Sequence, residues 1–109
     1  MPLGAYSGGM ARLPSDPIGT TYVTFSGVHS GSEIRVFRPD GTEAAGIESC
    51  ADDQMLTWGI YTSGSANNTV TVRIVNFLYK IKEFNFTSSV GSTMLPVQQE
   101  IDPWAVNPP

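Results

Sequence analysis

The run Thr69–Val75, TVTVRIV, alternates without a break: Val70, Val72 and Ile74 share one parity, and Thr71 and Arg73 take the other. Period two in a β-branched stretch is the pattern of a strand with one buried face. Working outward from it, the same period recurs. Thr20–Gly27 (TTYVTFSG) sets Val23 and Phe25 against Tyr22, Thr24 and Ser26. Ser32–Arg38 (SEIRVFR) sets Ile34 and Val36 against Glu33, Arg35 and Phe37. Gln54–Tyr61 sets Leu56, Trp58 and Ile60 against Met55, Thr57 and Tyr61. Arg38-Pro-Asp-Gly-Thr42 is a turn signal, because Pro39 presets its dihedral, Asp40 bonds nearby backbone and Gly41 accepts positive φ. It predicts a hairpin into a short strand, Thr42–Ile47, and a polar loop is predicted over 62–68. In Tyr79–Phe86 (YKIKEFNF) the phase changes, with Tyr79 and Ile81 on one parity and Phe84 and Phe86 on the other, which predicts a bulge. Met94–Val97 predicts an edge strand, where Pro96 is tolerable. About 6–8 short strands without an amphipathic helix predict an all-β fold, an antiparallel β-sandwich of jelly-roll or immunoglobulin-like topology.

Composition agrees with one small domain of 109 residues. Charged residues make up 15% and apolar residues 40%, against about 25% charged in an average soluble protein. Proline divides the chain in three. Residues 1–19 hold Pro2, Pro14 and Pro17, residues 20–90 hold Pro39 alone, and residues 91–109 hold Pro96, Pro103, Pro108 and Pro109. Each proline removes a backbone donor and disfavours helix in the residue before it. The outer segments are therefore read as an extended N-terminal arm (1–19) and an extended C-terminal tail (91–109), flanking a sandwich body (20–90). Their apolar side chains, Tyr6, Met10 and Leu13 in the arm and Leu95, Ile101 and Trp104 in the tail, are the predicted contacts with partner subunits.

The same arithmetic excludes much chemistry. A net charge of −4 argues against gripping nucleic acid, which needs clustered Lys and Arg. Cys50 is the single cysteine and His29 the single histidine, so no internal disulfide, multi-Cys zinc site or two-His site is available. The start, MPLGAYSGGMARLP, has neither a basic n-region nor an apolar h-region, so no signal peptide is predicted. No apolar run approaches the length of a membrane span. Gly27-Val-His-Ser-Gly31 is not the G-x-S-x-G elbow of a hydrolase, and His29 beside Ser30 reads as a polar hairpin tip. Cys50 has no basic neighbour in sequence to activate it. Glu48, Asp52 and Asp53 lack calcium-loop spacing and read as a solvated acidic loop. No catalytic residue, cofactor or metal ligand is expected. Tyr22, Phe37, Trp58, Tyr61, Tyr79 and Trp104 leave open a stacking platform for sugars. Trp58, in phase with Leu56 and Ile60, reads as core, whereas Trp104, between prolines, reads as an anchor.

Three segments in order carry a resemblance: GSEIRVFRPDGTEAAGIES (Gly31–Ser49), TVRIVNFLYKIKEF (Thr71–Phe84) and LPVQQEIDPWAVNPP (Leu95–Pro109). Together they resemble a small β-domain found among virion proteins of tailed bacteriophages, over roughly residues 28–109. The shared positions are Gly31 to Val36, Asp40, Gly41, Glu43, Ala45 and Gly46, then Val72, Arg73, Ile74 and Tyr79, and in the tail Pro96 to Gln99, Asp102, Asn107 and Pro108. The chain departs from the pattern at Phe37, Ala44 and Pro103-Trp104, where the family has Tyr, Leu and Arg-x. The resemblance implies a structural protein of the phage particle, made in the host cytoplasm and carried on the virion exterior. A head decoration (cement) protein is the first expectation; a neck, tail or baseplate accessory subunit, or a carbohydrate- or receptor-binding module, is the alternative. The partners expected are major capsid or tail subunits and further copies of the chain, with a trimer as the guess for their number; composition points to neither nucleic acid nor membrane.

Overall fold

The computed structural model describes residues 17–61 and 68–106. Among these residues seven strands follow one another: β1 (Pro17–Ser26), β2 (Glu33–Phe37), β3 (Glu43–Ile47), β4 (Gln54–Tyr61), β5 (Thr69–Val75), β6 (Lys82–Thr87) and β7 (Gly91–Pro96). A single turn of helix, α1 (Pro103–Val106), closes the described chain. The strands form a three-stranded sheet, β4-β1-β7, and a four-stranded sheet, β3-β2-β5-β6. The fold is an all-β sandwich, and every strand pairing is antiparallel except β1 with β7, which is parallel.

Alternation places the core. Val23 and Phe25 of β1 and Leu56, Trp58 and Ile60 of β4 face Ile34 and Val36 of β2 and Val70, Val72 and Ile74 of β5, all buried. Each such side chain contributes roughly 1.5–3 kcal/mol on burial, and period two supplies two or three per strand. Val28, Cys50 and Val97 cap this cluster, while Phe84, Phe86 and Leu95 are half-buried against it.

Three boundaries differ from the sequence reading. β7 begins at Gly91, ahead of the predicted edge strand at Met94, and residues 17–19 of the predicted arm open β1. The predicted bulge in Tyr79–Phe86 is absent: β6 starts at Lys82 and pairs with β5 in unbroken register. The change of phase instead marks a break. Tyr79 lies before the strand and makes an isolated antiparallel bridge to Ile101. Register shifts fall instead at the start of β1, between Pro17 and Gly19, and in the β2–β3 hairpin, between Val36 and Phe37, where Ala44 is the extra residue opposite β2. That hairpin's turn forms as predicted, with Gly41 at φ 90° and its N–H donating to the Arg38 carbonyl at 2.8 Å.

The two outer faces differ in charge. On the four-stranded sheet Arg35 lies between Gly46 and Arg73, and Arg73 lies opposite Glu83. Arg35 sits 3.0 Å from both Glu33 and Glu43, and the hydrogen bonds to these carboxylates raise its pKa. No strand of the three-stranded sheet contains a charged residue; its outer face shows Tyr22, Thr24, Met55, Thr57, Ser92 and Met94.

Candidate functional site

One end of the sandwich gathers the loop after β1 (27–32), the connection before β6 (76–81) and the segment after β7 (97–106). The loop leaves β1 through Gly27, at φ 83°, where a Cβ would strike the Val97 carbonyl oxygen. Close approach of the two chains is thus built in by the absent side chain. Val97 N–H donates to the Ser26 carbonyl at 2.8 Å and carries the β7 pairing onward.

Ser32 is the centre of this end. Fully buried, its hydroxyl donates to the His29 carbonyl at 2.7 Å and accepts from Asn76 Nδ2 at 3.1 Å and Gln99 Nε2 at 3.4 Å. Gln99 Oε1 in turn accepts the His29 backbone N–H at 2.7 Å. The His29 ring stacks on Tyr79, with centroids 4.3 Å apart and planes 11° from parallel. Cys50 is buried and its thiol donates to the His29 carbonyl at 3.4 Å. A buried hydroxyl with donors and acceptor all matched is a latch for three loops. Its proton is directed to a backbone carbonyl, not to the imidazole, and Ser30 stands exposed beside it.

The latch holds an apolar surface in place. Lys80 N–H donates to the Glu100 carbonyl at 2.7 Å, and Asp102 N–H to the Leu78 carbonyl at 2.9 Å, flanking the Tyr79–Ile101 bridge. The Asp102 carboxylate then accepts the Trp104 N–H at 3.0 Å, as the cap of α1. The consequence is that Phe77, Leu78, Ile81, Ile101 and Trp104 are all exposed at this end, Phe77 at 80% and Trp104 at 70%. The Lys80–Glu100 ion pair at 3.5 Å is its polar rim.

Of the predicted contact residues, Ile101 and Trp104 stand on this surface, and Leu95 instead lies half-buried against the body's own core. Tyr6, Met10 and Leu13 lie outside the described residues. Phe77, Leu78 and Ile81 were not singled out from the sequence: Ile81 shares the parity of Tyr79 in the predicted strand Tyr79–Phe86, and Phe77 and Leu78 lie between two predicted strands. The six aromatics do not form one platform: Tyr22 and Phe37 are on the outer faces of opposite sheets, Trp58 is in the core, and Tyr61 lies under the Arg38 guanidinium, 5.2 Å from its ring centre. Glu48, Asp52 and Asp53 are exposed, and among the described residues no three acidic, His or Cys side chains converge as a metal site. Among the same residues no helix is long and apolar enough to cross a membrane. No protein family, characterised protein or solved structure matches the chain.

Proposed function

We propose that this chain is a structural protein of a tailed-phage virion, a head decoration protein on the particle's exterior that works as a homo-oligomer, a trimer by default. The observation that carries the reading is the apolar end surface of Phe77, Leu78, Ile81, Ile101 and Trp104, fixed by main-chain bonds rather than left to a loose loop. Large apolar side chains held rigidly in water mark a protein–protein contact. Resemblance of three ordered segments to phage virion β-domains supplies the particle, and the end surface supplies the means of attachment to a major capsid subunit. Each of its side chains contributes roughly 1.5–3 kcal/mol on burial, while association costs roughly 4–15 kcal/mol. A single contact is therefore weak, and binding gains strength from repetition around a symmetric shell.

The test is the position of the chain in particles released by cells that produce it. The result expected from immunogold labelling and cryo-EM is a position on the head surface, with Phe77 and Trp104 against a capsid subunit. Particles purified free of the chain would overturn the virion reading; density confined to neck, tail or baseplate would overturn the head assignment.

A further inference from the structure

The three-stranded sheet is short of one strand. At one side of the sandwich the edge strands β3 and β4 approach each other closely, whereas β6 and β7 at the other side do not. Counting from the β3–β4 side, the strand orders set β1 over β2 and β7 over β5, which among the described residues leaves β6 without a strand above it. The burial follows this count. The inward residues of β2 and β5 are buried, but Phe84 and Phe86 of β6 and Thr93 and Leu95 of β7 are only half-buried.

The edges differ in how they are guarded. Sheet edges are kept from pairing by charge, proline or cover. β3 and β6 carry Glu43, Lys82 and Glu83, and β4 lies beside β3. Among the described residues β7 is a free edge with no charged residue from Gly91 to Leu95, and its one guard is Pro96 at the far end. A strand fits there by main-chain pairing.

The sequence ahead of β1 contains a matching strand. Between Pro2 and Pro14 lies a proline-free run, Gly4–Leu13 (GAYSGGMARL), with Arg12 its only charge and with Tyr6 and Met10 on one parity. At about 3.3 Å per residue it exceeds the length of β7. Its composition continues that of the uncharged sheet. To serve its own β7 the chain would have to reverse within residues 14–16 and cross two strand spacings, about 10 Å. Even fully extended, residues 14–16 span only about 10 Å, so crossing both spacings leaves no length for the reversal.

We propose that residues 4–13 of a neighbouring copy add to the free edge of β7 as a strand, covering Phe84, Phe86 and Leu95 and linking subunits; the proposal rests on the oligomeric reading above. Two full-length variants test it, both carrying Cys50→Ala. One has Ser92→Cys on β7, and the other has Tyr6→Cys, Gly8→Cys or Met10→Cys. Mixed and treated with a short bis-maleimide, at least one pair cross-links about tenfold more than the same arm variants mixed with Glu48→Cys, since pairing raises effective concentration. Adding Gly9→Pro to the arm chain removes the cross-link, because proline cannot donate to the ladder. No excess over the control would overturn the proposal. Hydrogen exchange on the parent chain gives a readout without cysteine variants. Protection of 91–95 falls in Gly9→Pro; equal protection in the two chains would also overturn it. Light scattering on the parent separates the two readings: an oligomer with no arm cross-link refutes the strand alone, and a monomer at every concentration refutes the oligomer.

Discussion

The indole N–H of Trp58 donates to the Ser88 hydroxyl at 2.8 Å, and both residues are buried. Trp58 belongs to β4 in the three-stranded sheet, and Ser88 follows β6 in the other. This bond therefore ties the two sheets across a core built mainly of apolar side chains. Ser88→Ala leaves the indole N–H without its partner, and an orphaned buried donor costs about 1–3 kcal/mol. The expected result is a lower urea midpoint at unchanged slope. Adding Trp58→Phe removes the orphan, so the double variant loses less than the sum of the singles. Strict additivity would show that the bond carries no coupling.

Gly27 and Gly31 share a left-handed backbone, at φ 83° and 88°, but not a neighbourhood. Nothing lies within 4 Å of a Cβ at Gly31, whereas one at Gly27 meets the Val97 carbonyl. Gly31→Ala meets only the backbone penalty, about 1–2 kcal/mol. Gly27→Ala adds a collision between main chains and displaces Val97 from Ser26. Thermal melts should rank the two variants in that order, and amide exchange at Val97 should accelerate in Gly27→Ala alone.

How far the sequence was legible depends on the range of the cause. β4 and β5 were readable to the residue, since alternation is local and their inward sets, Leu56-Trp58-Ile60 and Val70-Val72-Ile74, are uninterrupted. The β2–β3 hairpin was readable because Pro39, Asp40 and Gly41 act within their own turn. The parallel pairing of β1 with β7 has no local signature, as Thr21 and Gly91 meet only through the sheet. Around Tyr79 the difficulty is of another kind. Its burial comes from a histidine and a tail bridge rather than a sheet partner, so periodicity mistook a break for a bulge. Ser32 gave no signal either: its burial depends on Asn76 and Gln99, which are remote in sequence.

The hairpin turn carries its own pH dependence. Asp40 accepts the Thr42 hydroxyl at 2.7 Å and the Thr42 N–H at 3.0 Å, and these bonds, the hydroxyl's first, hold its carboxyl below the ordinary aspartate value. A lowered value in the folded chain means the ionised form is favoured by folding. That contribution is complete above the unfolded value, about pH 4, and is lost as pH falls through the lower folded one. Carboxyl-carbon NMR should find the Asp40 midpoint below the aspartate norm, and Thr42→Val should move it up. An Asp40 midpoint at the ordinary value in the parent would show that the turn makes neither bond in solution.

Removing residues 100–109 tests whether the end surface is a rigid platform or a passive tail. The deletion takes away the Lys80–Glu100 and Asp102–Leu78 main-chain bonds, the Tyr79–Ile101 bridge and the Trp104 side chain. It spares every strand of both sheets, and it spares Gln99, which keeps its bond to the His29 N–H. The core should therefore stay folded, with the β-type circular dichroism of the parent. The connection 76–81 loses the partners that flatten it, so its amides should exchange faster while those of β5 keep their protection. Trp104→Ala leaves the main-chain bonds in place, so it should reduce incorporation into particles without altering exchange at 76–81. Unchanged occupancy in Trp104→Ala together with Phe77→Ser would remove the end surface from any role in attachment. Accelerated exchange of β5 in the deletion would show instead that the tail supports the core itself.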